Sequence, residues 1–278
     1  MDLEPSIAIF AGGGARGALH VGPACHICTT TRVTQGRGSS IGAFTKYAVT
    51  TGHHEELGDL WQEVRRQGDF MKKNLPFDGV HTLNPLIKWV GGLGWGVPKV
   101  PSYVGVFDWQ TREHVFWSTH DVELAEALER MRASASIMVI HDRFERDGRF
   151  WGDGGHASPL PIVKYKRREW WNQYTGGVHL VLSVPTLDLP DLAPSEVNGP
   201  FKQLMAWMDY KNHESVIASV RWYRQLAKRI SVPVLLYAPR DWKVAGPTFD
   251  SDAKDLREQI DRRIEHGAWM VENRRRLG

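Results

Sequence analysis

Ser6-Ile7-Ala8-Ile9-Phe10-Ala11-Gly12-Gly13-Gly14-Ala15-Arg16-Gly17 is the stretch that decides the fold. Ser6 to Phe10 is a short apolar run of strand type, and it passes directly into a G-x-G-x-x-G turn. Residues 18 to 28 continue with helical composition, with Pro23 expected to kink the helix. A strand, a glycine turn and a helix at the start of a chain open an α/β layered fold. Such a turn leaves several backbone N–H groups aimed at one point, at the positive end of a helix. A dinucleotide pyrophosphate and the oxyanion of acyl transfer both use that device. The first also wants an acid about 20 positions on for a ribose hydroxyl. No Asp or Glu stands between Glu4 and Glu55, although Arg32 or Arg37 suits a 2′-phosphate. An NADP-type oxidoreductase therefore stays open as a second reading.

Outward from this unit, a weak strand at Arg32 to Gln35 leads to Gly38-Ser39-Ser40-Ile41-Gly42, a G-x-S-x-G pattern, and then to helical residues 43 to 51. Small residues two before and two after a serine permit the strained turn that exposes a nucleophilic hydroxyl. Only about one strand and one helix fit before Ser40, which suits a standard α/β-hydrolase order poorly. The third motif is Asp153-Gly154-Gly155, after the aromatic strand Phe150-Trp151-Gly152 and the turn Asp147-Gly148. Its glycines let an acid sit where backbone passes close to another group; alone it reads first as an ordinary Asp-Gly turn.

Together the three motifs resemble the patatin-like phospholipase family. Arg132-Ala133-Ser134-Ala135-Ser136-Ile137, the hairpin around Val104-Gly105-Val106-Phe107-Asp108 with Thr111-Arg112-Glu113, and Pro159-Leu160-Pro161 agree with it, so the likeness runs from residue 6 to about 185. Departures are the polar strand before Ser40, Ser39 where Thr is commoner, and Cys25 to Thr31. The resemblance implies an α/β, three-layer patatin-like fold with a central mostly parallel sheet flanked by helices. It implies one domain over residues 1–278, the motif-bearing core at 6–185 and a completion at 186–278. It implies a serine lipid acyl hydrolase or carboxylesterase that works without a cofactor or metal. Ser40 would be the nucleophile, Asp153 the general base, and Gly13, Gly14 and Ala15 the oxyanion donors. Gly12, Arg16, Gly17, Gly38, Gly42, Gly154 and Gly155 are the remaining motif positions. Arg16 would orient the loop, meet a phosphate, or form a structural ion pair. His156 lies near enough in sequence to suggest a triad, which the family does not need. A non-catalytic lipid-binding module is a third reading.

The remaining sequence adds elements and partners. Leu57 to Lys73 reads as an amphipathic helix, Ser102 to Phe107 and His114 to Trp117 as a hairpin, and Asp121 to Ala133 as a helix capped by Asp121. Strands are expected at Val178 to Val184 and Val232 to Tyr237 with helix between, and a last helix at Asp252 to Arg276. Residues 84–101, rich in Gly, Pro and Trp, read either as a mobile cap or as a packed loop. Lys164 to Arg168 with Trp170 and Trp171 would meet anionic headgroups or be a solvated face. Of the 278 residues 42% are hydrophobic and 24% charged, which excludes disorder, and the net charge of +3 is too small for a polyanion-binding face. The expected partner is a lipid or ester, with transient membrane-surface contact and no nucleic acid. Without a basic N-terminal leader or a long apolar run, a cytoplasmic protein is expected, with signal-free export left open. Cys25 and Cys28 read as packing residues rather than a redox or zinc pair. Twelve tryptophans exceed what the core needs; Trp89, Trp95 and Trp151 are the candidates for substrate or membrane contact.

Overall fold

The computed structural model describes residues 2–64, 72–73, 81–137, 140–163, 166–192, 194, 198–245 and 253–278. In chain order the N-terminal elements are β1 (Pro5–Phe10), α1 (Val21–Thr30), β2 (Arg32–Gly38), α2 (Ile41–Thr51), α3 (Leu57–Glu63), β3 (Lys72–Lys73), β4 (His81–Thr82) and α4 (Asn84–Gly92). Next come β5 (Ser102–Asp108), β6 (Glu113–Ser118), α5 (Leu124–Ala135), β7 (Phe144–Arg146), β8 (Arg149–Asp153), α6 (Arg168–Asn172) and β9 (Gly177–Val181). The chain ends with α7 (Pro200–Ala227), β10 (Val234–Tyr237), α8 (Trp242–Ala245), α9 (Ala253–Glu272) and β11 (Arg275–Leu277).

The main sheet runs β11-β10-β9-β1-β2-β5-β8-β7, with β6 also on β5. Its five central strands, β10 to β5 in that order, are parallel, while β11, β6, β8 and β7 join antiparallel at the two sides. The fold is thus α/β with a central, mostly parallel sheet flanked by helices. Alternation along β1 makes the layers: Ala8 and Phe10 enter a core with α1, α2 and α5, while Ile7, Ile9 and Ala11 enter a second core with Trp171 and Tyr223. Strands buried on both faces read as continuous apolar runs, as Ser6 to Phe10 does.

Several sequence expectations are corrected. A 3-10 turn, Gly14–His20, precedes α1, so Pro23 falls in the first turn of a new helix, where its missing N–H has no intrahelical acceptor to lose. The weak strand at Arg32 extends to Gly38 because Gly36 to Gly38 pair with Ser102 to Val104. The helix from Leu57 stops at Glu63; Lys72–Lys73 pairs with β4, and residues 65–71 lie outside the described set. Residues 84–92 are helical, with Pro85 in the first turn and Leu86 and Val90 buried. Helix α5 starts at Leu124 with Glu123 at its cap, and Asp121 pairs with His120 instead. The last helix ends at Glu272, since Arg275 to Leu277 add an antiparallel edge strand to β10. Asp252 is outside the described set. Among the described residues no helix is long and apolar enough to cross a membrane.

Candidate active site

One edge of β5 brings Ser40 and Asp153 together. Strand β6 occupies the other edge from Tyr103 to Asp108, so β2 and β8 must share the first. Parallel β2 ends there with Gly38 opposite Val104, and antiparallel β8 ends with Asp153 opposite Val106. The two strand ends therefore face each other across Gly105, and the residues just past them meet. The C-terminal end of α5 ties both in place. The Ser40 amide donates to the carbonyl and the Oγ of Ser134, each at 3.1 Å, and Ser134 Oγ donates to Gly105 O at 2.6 Å. The Asp153 amide donates to Ser136 O at 2.9 Å. Ser134 and Ser136 are thus scaffold residues of the site, a role that the sequence reading did not assign.

Ser40 is the N-cap of α2 with φ 54° and ψ −129°, a conformation close to the first central position of a type II′ turn and favoured by glycine. The sharp reversal brings the start of α2 against the end of β1, where a Cβ on Gly42 would lie 2.4 Å from Phe10 O. Ser40 and Asp153 are both buried, with the Ser40 side chain beside the Asp153 carboxylate. Gly155 N–H donates to Asp153 Oδ1 at 2.6 Å and fixes the carboxylate's rotation. Burial raises the Asp153 pKa above the ordinary carboxylate value, opposed by the charge of His156 and by the hydrogen bonds from Ser40 and Gly155.

The glycine turn forms the adjoining wall. Gly12 N–H is held by Pro159 O at 2.9 Å, and Arg16 N–H by Gly13 O at 3.1 Å. Gly13 (φ 155°) and Gly14 (φ 56°) stand at the open N-terminal end of the 3-10 turn, where no preceding turn supplies acceptors for their N–H groups. A Cβ on Gly13 would sit 2.5 Å from the Cβ of Ser183, which backs the turn. Ser183 Oγ bonds to His20 Nε2 at 2.8 Å and His20 Nδ1 to Thr45 at 3.1 Å, and burial lowers the His20 pKa to about 3, so this support stays neutral.

A cavity of about 640 Å³ opens onto these groups. Gly12, Gly13, Gly14, Ser40, Asp153 and Gly155 line it; Ala15 does not. Its apolar walls are Phe107, Trp109, Ile137, Leu204, Trp207 and Met208, the last three from the first half of α7. Asp209, Lys211, Asn212 and Glu214 line it as well. Arg16 is excluded from this cavity: its buried guanidinium pairs with Asp209 at 3.1 Å. No family model matches the sequence. No curated protein matches it either. Among solved structures, the crystal structure of VipD from Legionella pneumophila superposes with a TM-score of 0.46 at 10% identity, covering 99% of this chain and 68% of that one.

Other sequence candidates land elsewhere. His156 is exposed at the cavity with its ring 5.5 Å from Trp109, and among the described residues no hydrogen bond joins it to Ser40 or Asp153. Residues 84–101 do not line the cavity: Leu86, Trp89, Val90 and Trp95 pack against Phe44 and Trp61, and Trp95 Nε1 donates to Glu56. Trp151 packs on Trp117 at 4.5 Å. The tryptophans at the cavity are instead Trp109 and Trp207. In the basic run, Lys166 lies over the Trp170 ring and Arg168 donates to Ser231; Lys164 and Tyr165 lie outside the described set. Burial raises the pKa of both thiols, that of Cys28 to about 12, and Cys25 Sγ donates to His54 O. The helix expected between the strands at Val178 and Val232 is α7, but nothing in its sequence pattern marks it as a wall of the site; Trp207 within it is the nearest to a signal.

Proposed function

We propose that this chain is a serine acyl-ester hydrolase, a lipid acyl hydrolase or carboxylesterase of patatin-like type working through a Ser40–Asp153 dyad. One observation carries the reading: a serine on strained backbone beside a desolvated carboxylate, both lining an apolar cavity walled by a glycine turn. Ser40 Oγ attacks the ester carbonyl while its proton passes to Asp153, whose raised pKa makes it a better base than an ordinary carboxylate. Gly13 and Gly14 N–H groups receive the oxyanion, a stabilisation worth about 3 kcal/mol per donor. Asp153 returns its proton to the leaving alcohol, then takes one from water as the acyl-Ser40 ester is hydrolysed. The aromatic and aliphatic walls suit an acyl chain.

Of the six exposed large hydrophobics among the described residues, Leu187, Leu192, Trp207 and Tyr210 fall in α7 or the segment leading to it. That placement supports transient contact with a lipid surface near the cavity. The nucleotide reading has less support. Arg37 is buried between the rings of Tyr103 and Phe116, and Arg32 begins β2, at the end of the sheet away from the glycine turn. A fluorophosphonate should label the wild type and not Ser40→Ala, with matching hydrolysis of p-nitrophenyl esters. Equal labelling of both, or ester turnover by Ser40→Ala, would sink the proposal. Labelling without turnover of any ester would favour the lipid-binding module.

A further inference from the structure

Helix α7 has 28 residues, and its two halves differ. From Pro200 to Asn212, about 20 Å of helix, no described side chain is buried; the first buried one is His213. This first half carries Leu204, Trp207 and Met208 over the cavity, with Trp207 57% exposed. Specific contacts join this roof to the glycine turn. The second half is anchored by Val216, Val220 and Tyr223 in the core with Trp171.

Several contacts meet at the junction. Asp209 Oδ1 accepts from Arg16 Nη1 at 3.1 Å. The Arg16 guanidinium lies over the Trp242 ring at 5.7 Å, and His213, one helical turn after Asp209, meets the same ring edge-on at 5.4 Å. Trp242 is held by its indole N–H on Asp188 O at 2.9 Å. Arg16 is only 2% exposed and belongs to the glycine turn through its own amide bond to Gly13 O. A buried guanidinium depends strongly on its carboxylate, because removing the partner leaves a desolvated charge. The same side chain therefore reports the position of the roof to the turn that carries the N–H groups of Gly13 and Gly14.

We propose that Asp209 is a positioning residue for the reaction: paired with Arg16, whose guanidinium lies over the Trp242 ring that His213 also meets, it sets the roof helix and the oxyanion turn as one unit. This rests on the acyl-hydrolase reading of Ser40. Asp209 lines the cavity, and its pairing with Arg16, the clasp, acts on the reacting atoms through the turn. With the clasp open, the roof lifts and the turn loses its fixed geometry together, which lowers turnover more than binding of a short ester.

Asp209→Asn keeps size and shape at a half-exposed position, and Asp209→Glu keeps the charge. For Asp209→Asn, kcat on p-nitrophenyl butyrate should fall at least tenfold with KM changed less than threefold, and Asp209→Glu should recover much of it. Hydrogen exchange should quicken in residues 11–20 and 200–212 together, while the exposed-pair control Glu258→Gln, distant from the site, leaves both at the wild-type rate. Wild-type turnover in Asp209→Asn, or exchange that quickens in the roof alone, would overturn the clasp. Coupled exchange in a chain whose Ser40 never takes up a fluorophosphonate would refute the hydrolase reading and with it the role in turnover. Absence of coupling in a chain that does label would overturn the clasp alone.

Discussion

The backbone at Ser40 yields a prediction that separates strain from chemistry. Ser40→Ala and Ser40→Gly both delete the hydroxyl beside Asp153, and both retain the amide that donates to Ser134. They differ only in the Cβ, at φ 54° and ψ −129°. A non-glycine residue held in such a region costs about 1–3 kcal/mol. Glycine loses about 0.4–1 kcal/mol to the extra freedom of its unfolded chain. The balance makes Ser40→Gly more stable than Ser40→Ala by about 0.5–2 kcal/mol. With an unfolding entropy of about 2.1 cal/mol/K per residue, each kcal/mol moves the midpoint of a chain this long by roughly 2 °C. Paired thermal melts, repeated as urea titrations to check that the slope is unchanged, would resolve a difference of about 1–4 °C. Equal stability, or a more stable alanine variant, would show that the elbow holds no strain and would remove the argument that Ser40 is displayed for reaction.

Three further outcomes follow from the site. Asp153→Asn should lower kcat by about 10²–10⁴ while the fold persists, and wild-type activity should rise with pH through an acid limb lying above the ordinary carboxylate range. Because folding raises this pKa, the stability that Asp153 contributes is complete below its unfolded value near ~3.9 and is lost as pH rises through the folded one. Melts of Asp153→Asn should therefore gain on wild type between pH 4 and neutrality, and a constant difference would refute the desolvated carboxylate. Gly13→Ala meets Ser183 Cβ at 2.5 Å and must move the turn, so kcat should drop by about 10²-fold with KM little changed; unaltered kinetics would exclude Gly13 as an oxyanion donor. Met208→Trp fills the cavity under the roof and should lower kcat/KM for long acyl esters more than for acetyl esters, by about fourfold for each methylene displaced. A uniform loss across a chain-length series would place the acyl chain elsewhere.

The parts of the site legible in the sequence are those where backbone demands a residue type. Gly13 at φ 155° beneath Ser183, and Gly42 with Phe10 O where its Cβ would be, leave a mark that a single chain displays. Strand β1 was legible because both its faces are buried. What stayed hidden depends on distant pairing. Arg32 to Gly38 looks too polar for a strand until its end pairs with Ser102 to Val104, and Arg37 is stacked on Tyr103 and Phe116. Helix α4 was masked by Gly91, Gly92 and Trp89, whose propensities tertiary packing overrode. The partner of Arg16 lies 193 residues away, and no local pattern singles out Asp209 among the chain's acids.

On the proposed acyl-hydrolase reading, the topology accounts for how two side chains would serve where acyl transfer often uses three. In a triad the third group holds the base in orientation. Here that task falls to the backbone: Asp153 is fixed by a strand end whose register on β5 is set, by its amide on Ser136 O, and by Gly155 N–H on Oδ1. Ser40 is fixed by the end of β2 on the same edge and by Ser134. With both reacting groups attached to one ladder, their separation needs no bridging imidazole. What a carboxylate lacks as a base at ordinary pKa is offset by desolvation, and burial is the first cause of the Asp153 shift. The same burial makes water the scarce reagent, so on this reading deacylation is the step most sensitive to the roof. Loosening Asp209 should then speed water access while spoiling the oxyanion turn, and pre-steady-state bursts with p-nitrophenyl esters would distinguish the two. A burst that shrinks in Asp209→Asn marks acylation as the step the clasp serves, whereas a larger burst with slower steady turnover marks deacylation.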